Sequence, residues 1–138
     1  MNRRTIIAST AAAALIAPAA WAGAKTIDYT PGLINAALAE GKTVFVDYAA
    51  DWCSTCHRQE RVINAIREAN PAYDDAMIFV RVDWDKYGQD DVAVFRNIPR
   101  RSTLIVLKGE DELGRIVAGT SESDIKALMD KGLAAAES

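Results

Sequence analysis

Hydrophobic and polar positions alternate along the chain in blocks whose period changes several times. Residues 26–29 ("TIDY") predict a short edge strand. "TPGLINAALAEG" follows as a helix, with Thr30 as N-cap, Pro31 at the first helical position and Gly41 as the stop. Residues 42–50 ("KTVFVDYAA") form a continuous apolar, β-branched run, the pattern of a strand buried on both faces. From Trp52 to about Ala69 the period becomes helical. Val62, Ile63, Ile66 and Ala69 recur on one face, and Asn70-Pro71 ends the element. Residues 76–84 ("AMIFVRVDW") predict a second buried strand. "GQDDVAVFRNI" reads as a short helix whose first-turn acids suit the helix dipole. "STLIVLKGEDELGRIVAG" reads as a hairpin turning near residues 108–111. "TSESDIKALMDKGL" closes the chain as an amphipathic helix capped by Ser121, with Asp124 three residues on.

The resulting order, β-α-β-α-β-α-β-β-α, predicts an α/β fold. Strand–helix alternation implies a largely parallel central sheet with helices on both faces, made mixed by antiparallel edge strands from the late hairpin. In such sheets reactive groups collect beyond the C-terminal ends of the central strands. At 138 residues the chain holds one domain with a full core.

The first residues stand apart from this pattern. Arg3 and Arg4 precede an apolar, Ala-rich run over residues 6–17, and Ala20-Trp21-Ala22 supplies small residues in an A-x-A arrangement. This is the layout of a bacterial secretory signal peptide. The run is too short to span a bilayer comfortably and Pro18 interrupts it, so no stable membrane insertion is expected. Cleavage is expected after Ala22, with Ala24 the second choice, leaving residues 23–138 as a periplasmic domain. "NRRTII" also has the two arginines of a twin-arginine signal, and no cysteine near the cleavage site invites a lipid anchor. Loss of Arg3 and Arg4 takes the formal charge from −3 to −5. An acidic domain has no general attraction for nucleic acid or anionic membrane, and neither is expected as a partner.

Both cysteines and the only histidine lie in "DYAADWCSTCHRQE". A disulfide across Cys-x-x-Cys closes a very small loop and removes little unfolded-state entropy, so structural stapling explains the pair poorly. The pattern places Cys53 at the end of a buried strand and the start of a helix. Free N–H groups and the positive end of the dipole stabilise a thiolate there. Cys53 is thereby the candidate nucleophile. Cys56, one turn along, can attack a mixed disulfide and release the partner. Ser54 and Thr55 are small and leave the thiols accessible.

"VDYAADWCSTC" resembles the active-site segment of the thioredoxin superfamily, and its "ADWC" form resembles most closely the thioredoxin-like domain of the membrane thiol:disulfide interchange proteins. The likeness runs through "VDWDKYGQDDVAVFRNI", the "STLIVLKG" strand and Gly119, and so covers the mature chain. The resemblance implies a thioredoxin-like fold and a thiol-disulfide oxidoreductase that acts on protein thiols and disulfides without a cofactor. It implies a reductant fed by a membrane electron donor of the interchange type. It also implies that Asp47, six residues before Cys53, is a buried acid assisting proton transfer at Cys56, and that Trp52, Arg101, Ser102 and Thr103 contact substrate. Two positions depart from the family. Ala49 replaces an aromatic four residues before Cys53. Ser102 stands where the loop facing the disulfide normally carries a cis-proline before Thr103, with Pro99 three residues too early. A cis bond before a non-proline residue costs about 3–4 kcal/mol, so Arg101–Ser102 is expected to be trans. A second register would place Pro99 in the loop and extend the strand through "RRSTLIVL".

Two other chemistries fit the same letters. "CSTCH" matches the attachment motif of a c-type haem, which also needs a distal ligand. There is no second histidine; Met77 falls in a predicted strand and Met129 on the core face of the last helix. Cys53, Cys56 and His57 give at most three of the four ligands of a closed zinc site. A metal or iron–sulfur cluster shared across a dimer would supply the rest. Dithiol redox chemistry is the principal expectation, and these two are its alternatives.

Overall fold

The computed structural model describes residues 26–137, so the expected signal peptide, residues 1–22, lies outside the described residues. A five-stranded sheet in the order β1-β3-β2-β4-β5 forms the centre. β1 (Ile27–Asp28), β2 (Thr43–Ala49) and β3 (Met77–Asp83) are mutually parallel. β4 (Thr103–Lys108) runs antiparallel to β2, and β5 (Asp111–Val117) antiparallel to β4. The hairpin therefore adds one edge strand, β5, because β4 pairs with the central strand as well.

The alternation of side chains along β2 divides the core. Val44, Val46 and Tyr48 pack with Ile34 and Ala37 of α1 (Leu33–Ala39) and with Tyr87 and Ala93, at α4 (Trp84–Tyr87) and α5 (Asp91–Val94). Phe45 faces the other layer, with Ile63 and Ile66 of α2 (Ser54–Ala69), Tyr73 of α3 (Ala72–Ala76), and Ile125, Leu128 and Met129 of α6 (Glu122–Ala136). Helices thus cover both faces, as the mixed pattern predicts, and the buried apolar residues of β2 each pack into an apolar cluster.

Local chemistry shifts several boundaries. α1 begins at Leu33 instead of after Thr30. Gly32 is the N-cap at φ 88°, and Thr30 closes the preceding turn through its carbonyl, which accepts from Leu33 N at 3.0 Å. The predicted stop holds, with Gly41 at φ 80°. Asn70-Pro71 ends α2, and the chain at once makes the short α3, which the pattern did not announce. β3 stops at Asp83 instead of running on through Trp84. The Asp83 side chain accepts from Asp85 N and opens α4. Ser121 caps α6 by accepting from Asp124 N.

Candidate active site

β2 is parallel to β3, so Tyr48 and Ala49 deliver the chain at the C-terminal edge of the sheet, and Ala50 to Trp52 turn it into α2. Cys53 is the N-cap of that helix. Its Sγ accepts from Cys56 N at 3.2 Å, and its own N–H donates to the Ala50 carbonyl at 3.1 Å. The first turn of α2 carries no acidic side chain, so no carboxylate of its own competes for the helix terminus. Cys53 and Cys56 form a disulfide-bonded pair with Cα atoms 5.2 Å apart.

The pair is more covered than the small residues between the cysteines led us to expect: Cys53 is 3 % exposed and Cys56 2 %. Ala49, Ala50 and Trp84 pack around them. The aromatic missing at position 49 is therefore not replaced in sequence, but Trp84 contributes an aromatic surface from the end of β3.

The loop before β4 closes over the sulfurs. The strand opens at Thr103, which is the first of the two registers considered, and all described peptide bonds are trans, Arg101–Ser102 included. Ser102 Oγ lies 3.2 Å from Cys53 Sγ and 3.1 Å from Cys56 Sγ. Thr103 is buried, and its Oγ1 donates to the Arg100 carbonyl at 2.7 Å, tying the loop to itself. The Arg101 guanidinium sits 4.2 Å from the centre of the Trp52 ring. Trp52 is 62 % exposed, and its Nε1 donates to the Asp85 carboxylate at 2.8 Å. Arg100 turns away, donating from Nε to the Arg101 carbonyl. Of these four, Ser102 contacts the sulfurs; Trp52, next to Cys53 in the chain, is the open surface and carries Arg101 on its ring, and Thr103 is enclosed at the start of β4.

Asp47 occupies the α2 side of β2. It lines a small cavity of about 30 Å³ with Phe45, Glu60, Ile63, Arg67 and Arg81, and its Oδ1 is buried without a hydrogen-bond partner. Burial pushes its carboxyl up to about 7; Arg81, its register partner on β3, opposes the shift, and Glu60 adds to it. A carboxyl that titrates near 7 can take and return a proton at physiological pH, although the residues lining its cavity do not include either cysteine.

Gln59 is the participant that pattern reading missed. It is fully buried on α2, and its Nε2 donates to the carbonyls of Ser102 and Gly119, both at 2.9 Å. A glutamine between charged neighbours reads as solvated surface, and only its place one turn past Cys56 hinted otherwise. His57 is half-exposed, with Nε2 hydrogen-bonded to the Asp51 carbonyl at 2.5 Å. Met77 and Met129 pack in the core layer under α2 and α6, a cluster separate from the one around the cysteines. Among the described residues no three His, Cys, Asp or Glu side chains converge as a metal site.

A family model described as thioredoxin-like matches residues 26–105. Thioredoxin of Echinococcus granulosus is 31 % identical over 96 residues, covering 70 % of this chain and 83 % of that protein. Thioredoxin-T of Drosophila melanogaster is 29 % identical over 94 residues, 68 % of this chain and 56 % of the longer relative. Among solved structures, Trxlp from Edwardsiella tarda superposes with a TM-score of 0.60 at 30 % identity, covering 75 % of this chain and 97 % of that one.

Proposed function

On the premise that this chain belongs to the thioredoxin-like family, we propose that it is a periplasmic reductant of protein disulfides, recharged by a membrane electron donor. The general activity, thiol-disulfide exchange through Cys53 and Cys56, follows from the family and the motif. Direction, compartment and donor are our reading. The observation that carries the chemistry is Cys53 Sγ seated at the N-cap of α2 with the Cys56 N–H directed at it, 3.2 Å away. That position favours a thiolate.

In the reducing direction the Cys53 thiolate attacks a substrate disulfide, forms a mixed disulfide and expels one substrate thiolate. Cys56 loses its proton and attacks Cys53 Sγ, restoring the intramolecular bond and expelling the second substrate thiolate. Two electrons pass to the substrate. Asp47, held near neutrality inside the sheet, is the group we assign to the Cys56 proton. Trp52, with the half-buried Arg101 stacked on its ring, offers the exposed surface on which a protein substrate would rest.

The arginine-containing leader supports export, and the "ADWC" form supports a donor of the interchange type. The deciding measurement is the reduction potential of the pair against glutathione. A value near thioredoxin's, about −270 mV, supports a reductant, and one near about −120 mV makes the protein an oxidant. Fractionation of the bacterial host tests the compartment, and recovery in the cytoplasm with an intact leader would remove the periplasmic assignment. The protein purified from a haem-maturing host should be colourless. A Soret band that survives denaturation would replace the dithiol reading with haem attachment.

A further inference from the structure

Ser102 is fully buried and adopts φ 63°, in the left-handed region that side chains other than glycine enter at a cost. Its backbone is held on both sides. Ser102 N donates to the Tyr48 carbonyl at 2.7 Å, and its own carbonyl accepts from Ala118 N at 2.8 Å and from Gln59 Nε2 at 2.9 Å. These bonds fix the direction of the side chain. Among the described residues the two sulfurs are the only hydrogen-bond partners of Ser102 Oγ, at 3.2 Å and 3.1 Å. Bridged sulfurs carry no hydrogen, so the hydroxyl must be the donor. The strained residue is thus held where its one O–H can reach either sulfur.

We propose that Ser102 is a catalytic residue of this dithiol, donating its hydrogen bond to whichever sulfur is anionic and so favouring the thiolate and the reduced protein. The proposal rests on the thiol-disulfide exchange reading and adds a participant to it. In the free dithiol the hydroxyl serves the Cys53 thiolate. Once Cys53 is bonded to substrate, the same hydroxyl serves Cys56 as it becomes the attacking thiolate, and only the O–H need rotate. Ser102 keeps its proton throughout; the bonds made and broken are the sulfur–sulfur bonds described above. Hydrogen bonds to charged groups are the stronger class, and Ser102 is fully buried, away from bulk solvent.

The elements that carry or pack about the pair also bear charged groups: Asp47 on β2, His57 and Glu60 on α2, Asp85 on α4 and Arg101 in the same loop. Substitution at Ser102 leaves each of them in place. Ser102→Ala removes the hydroxyl and keeps the unfavourable φ, whereas Ser102→Gly removes it and relieves the φ. Both variants should lose roughly tenfold in Cys53 thiolate at a given pH, an upward displacement of its titration by about one pH unit. Both should also be oxidised more completely by glutathione disulfide, with an equilibrium constant roughly tenfold larger. The titration is read as alkylation rate against pH and needs no substrate turnover. Titrations in both variants that coincide with the natural chain's would overturn the role of Ser102. So would a displacement in the Ala variant alone, because strain and not the hydroxyl would then be responsible. A natural chain that does not equilibrate with glutathione overturns the oxidoreductase reading instead, a result separate from the titration.

Discussion

Gln59 Nε2 holds the carbonyls of Ser102 and Gly119 together, 2.9 Å from each, joining the loop that faces the disulfide to the segment after β5. Both acceptors are carbonyl oxygens, so the amide nitrogen must face them and the assignment of the side chain is fixed. Gln59→Leu keeps the volume and removes the donor. It should destabilise the fold by about 1 kcal/mol, because the half-buried Gly119 carbonyl loses this donor while the Ser102 carbonyl keeps Ala118 N. Urea unfolding with an unchanged m-value is the check, and a variant as stable as the natural chain would mean that the loop finds other donors.

Asp47 sets a pH dependence of stability. Its carboxyl titrates near 7 when folded because burial disfavours the charge, against an ordinary value of 3.8. The folded state therefore holds the proton more tightly than the unfolded one. Stability contributed by this residue is greatest below about pH 4, falls as pH rises toward 7, and is level above that. Asp47→Asn removes the dependence. The variant should gain on the natural chain between pH 5 and pH 8 by up to about 4 kcal/mol, from roughly three pH units at 1.4 kcal/mol each. Parallel stability profiles over that interval would show that Asp47 is not held neutral. The same variant should slow the second step of exchange, the release of the mixed disulfide, more than the first.

Much of this architecture was legible because period carries burial. The unbroken apolar runs gave β2 and β3, and the change to helical spacing after Trp52 placed Cys53 at the helix start. Thr103 as the first residue of β4 followed from the family resemblance, which sets a threonine at the opening of that strand. What failed was decided by contacts distant in sequence or by backbone geometry. Gln59 is polar and sits on a helix, and it is buried only because two loops need its donor. The start of α1 depends on Gly32 taking a positive φ, and period does not reveal that. The low exposure of the cysteines comes from Trp84 and the Ser102 loop, 28 or more residues further along the chain. Arg100 and Arg101 look equivalent in sequence, yet Arg101 alone stacks on Trp52.

That difference is measurable. Arg101→Ala removes a partly exposed cation–π contact worth about 0.5–1 kcal/mol, so the fold should be little affected. Tryptophan fluorescence should change, because the Trp52 ring loses the cation above it. Reduction of an acidic protein disulfide should slow and become less sensitive to ionic strength, as expected when a steering charge is lost. Arg100→Ala should leave the fluorescence unchanged. Equal effects of the two substitutions would assign the steering to net charge alone.

Two glycines separate damage to the site from damage to the core. A Cβ on Gly88 would stand 2.6 Å from the Trp84 carbonyl oxygen and 2.9 Å from its ring. Trp84 in turn packs against Cys53 and Cys56. A Cβ on Gly132 would overlap Met77 Sδ and crowd Val106, in the layer between α6 and the sheet. Each clash involves groups that must move to admit a methyl, and each Gly→Ala substitution should cost about 1–3 kcal/mol. Their functional consequences should differ. Gly88→Ala displaces the aromatic wall of the dithiol and should change the rate at which Cys53 is alkylated. Gly132→Ala strains the far layer and should leave that rate as it is in the natural chain. Thermal unfolding and alkylation measured on both variants give the comparison, and a Gly88→Ala protein with unaltered thiol reactivity would show that Trp84 covers the sulfurs without influencing them.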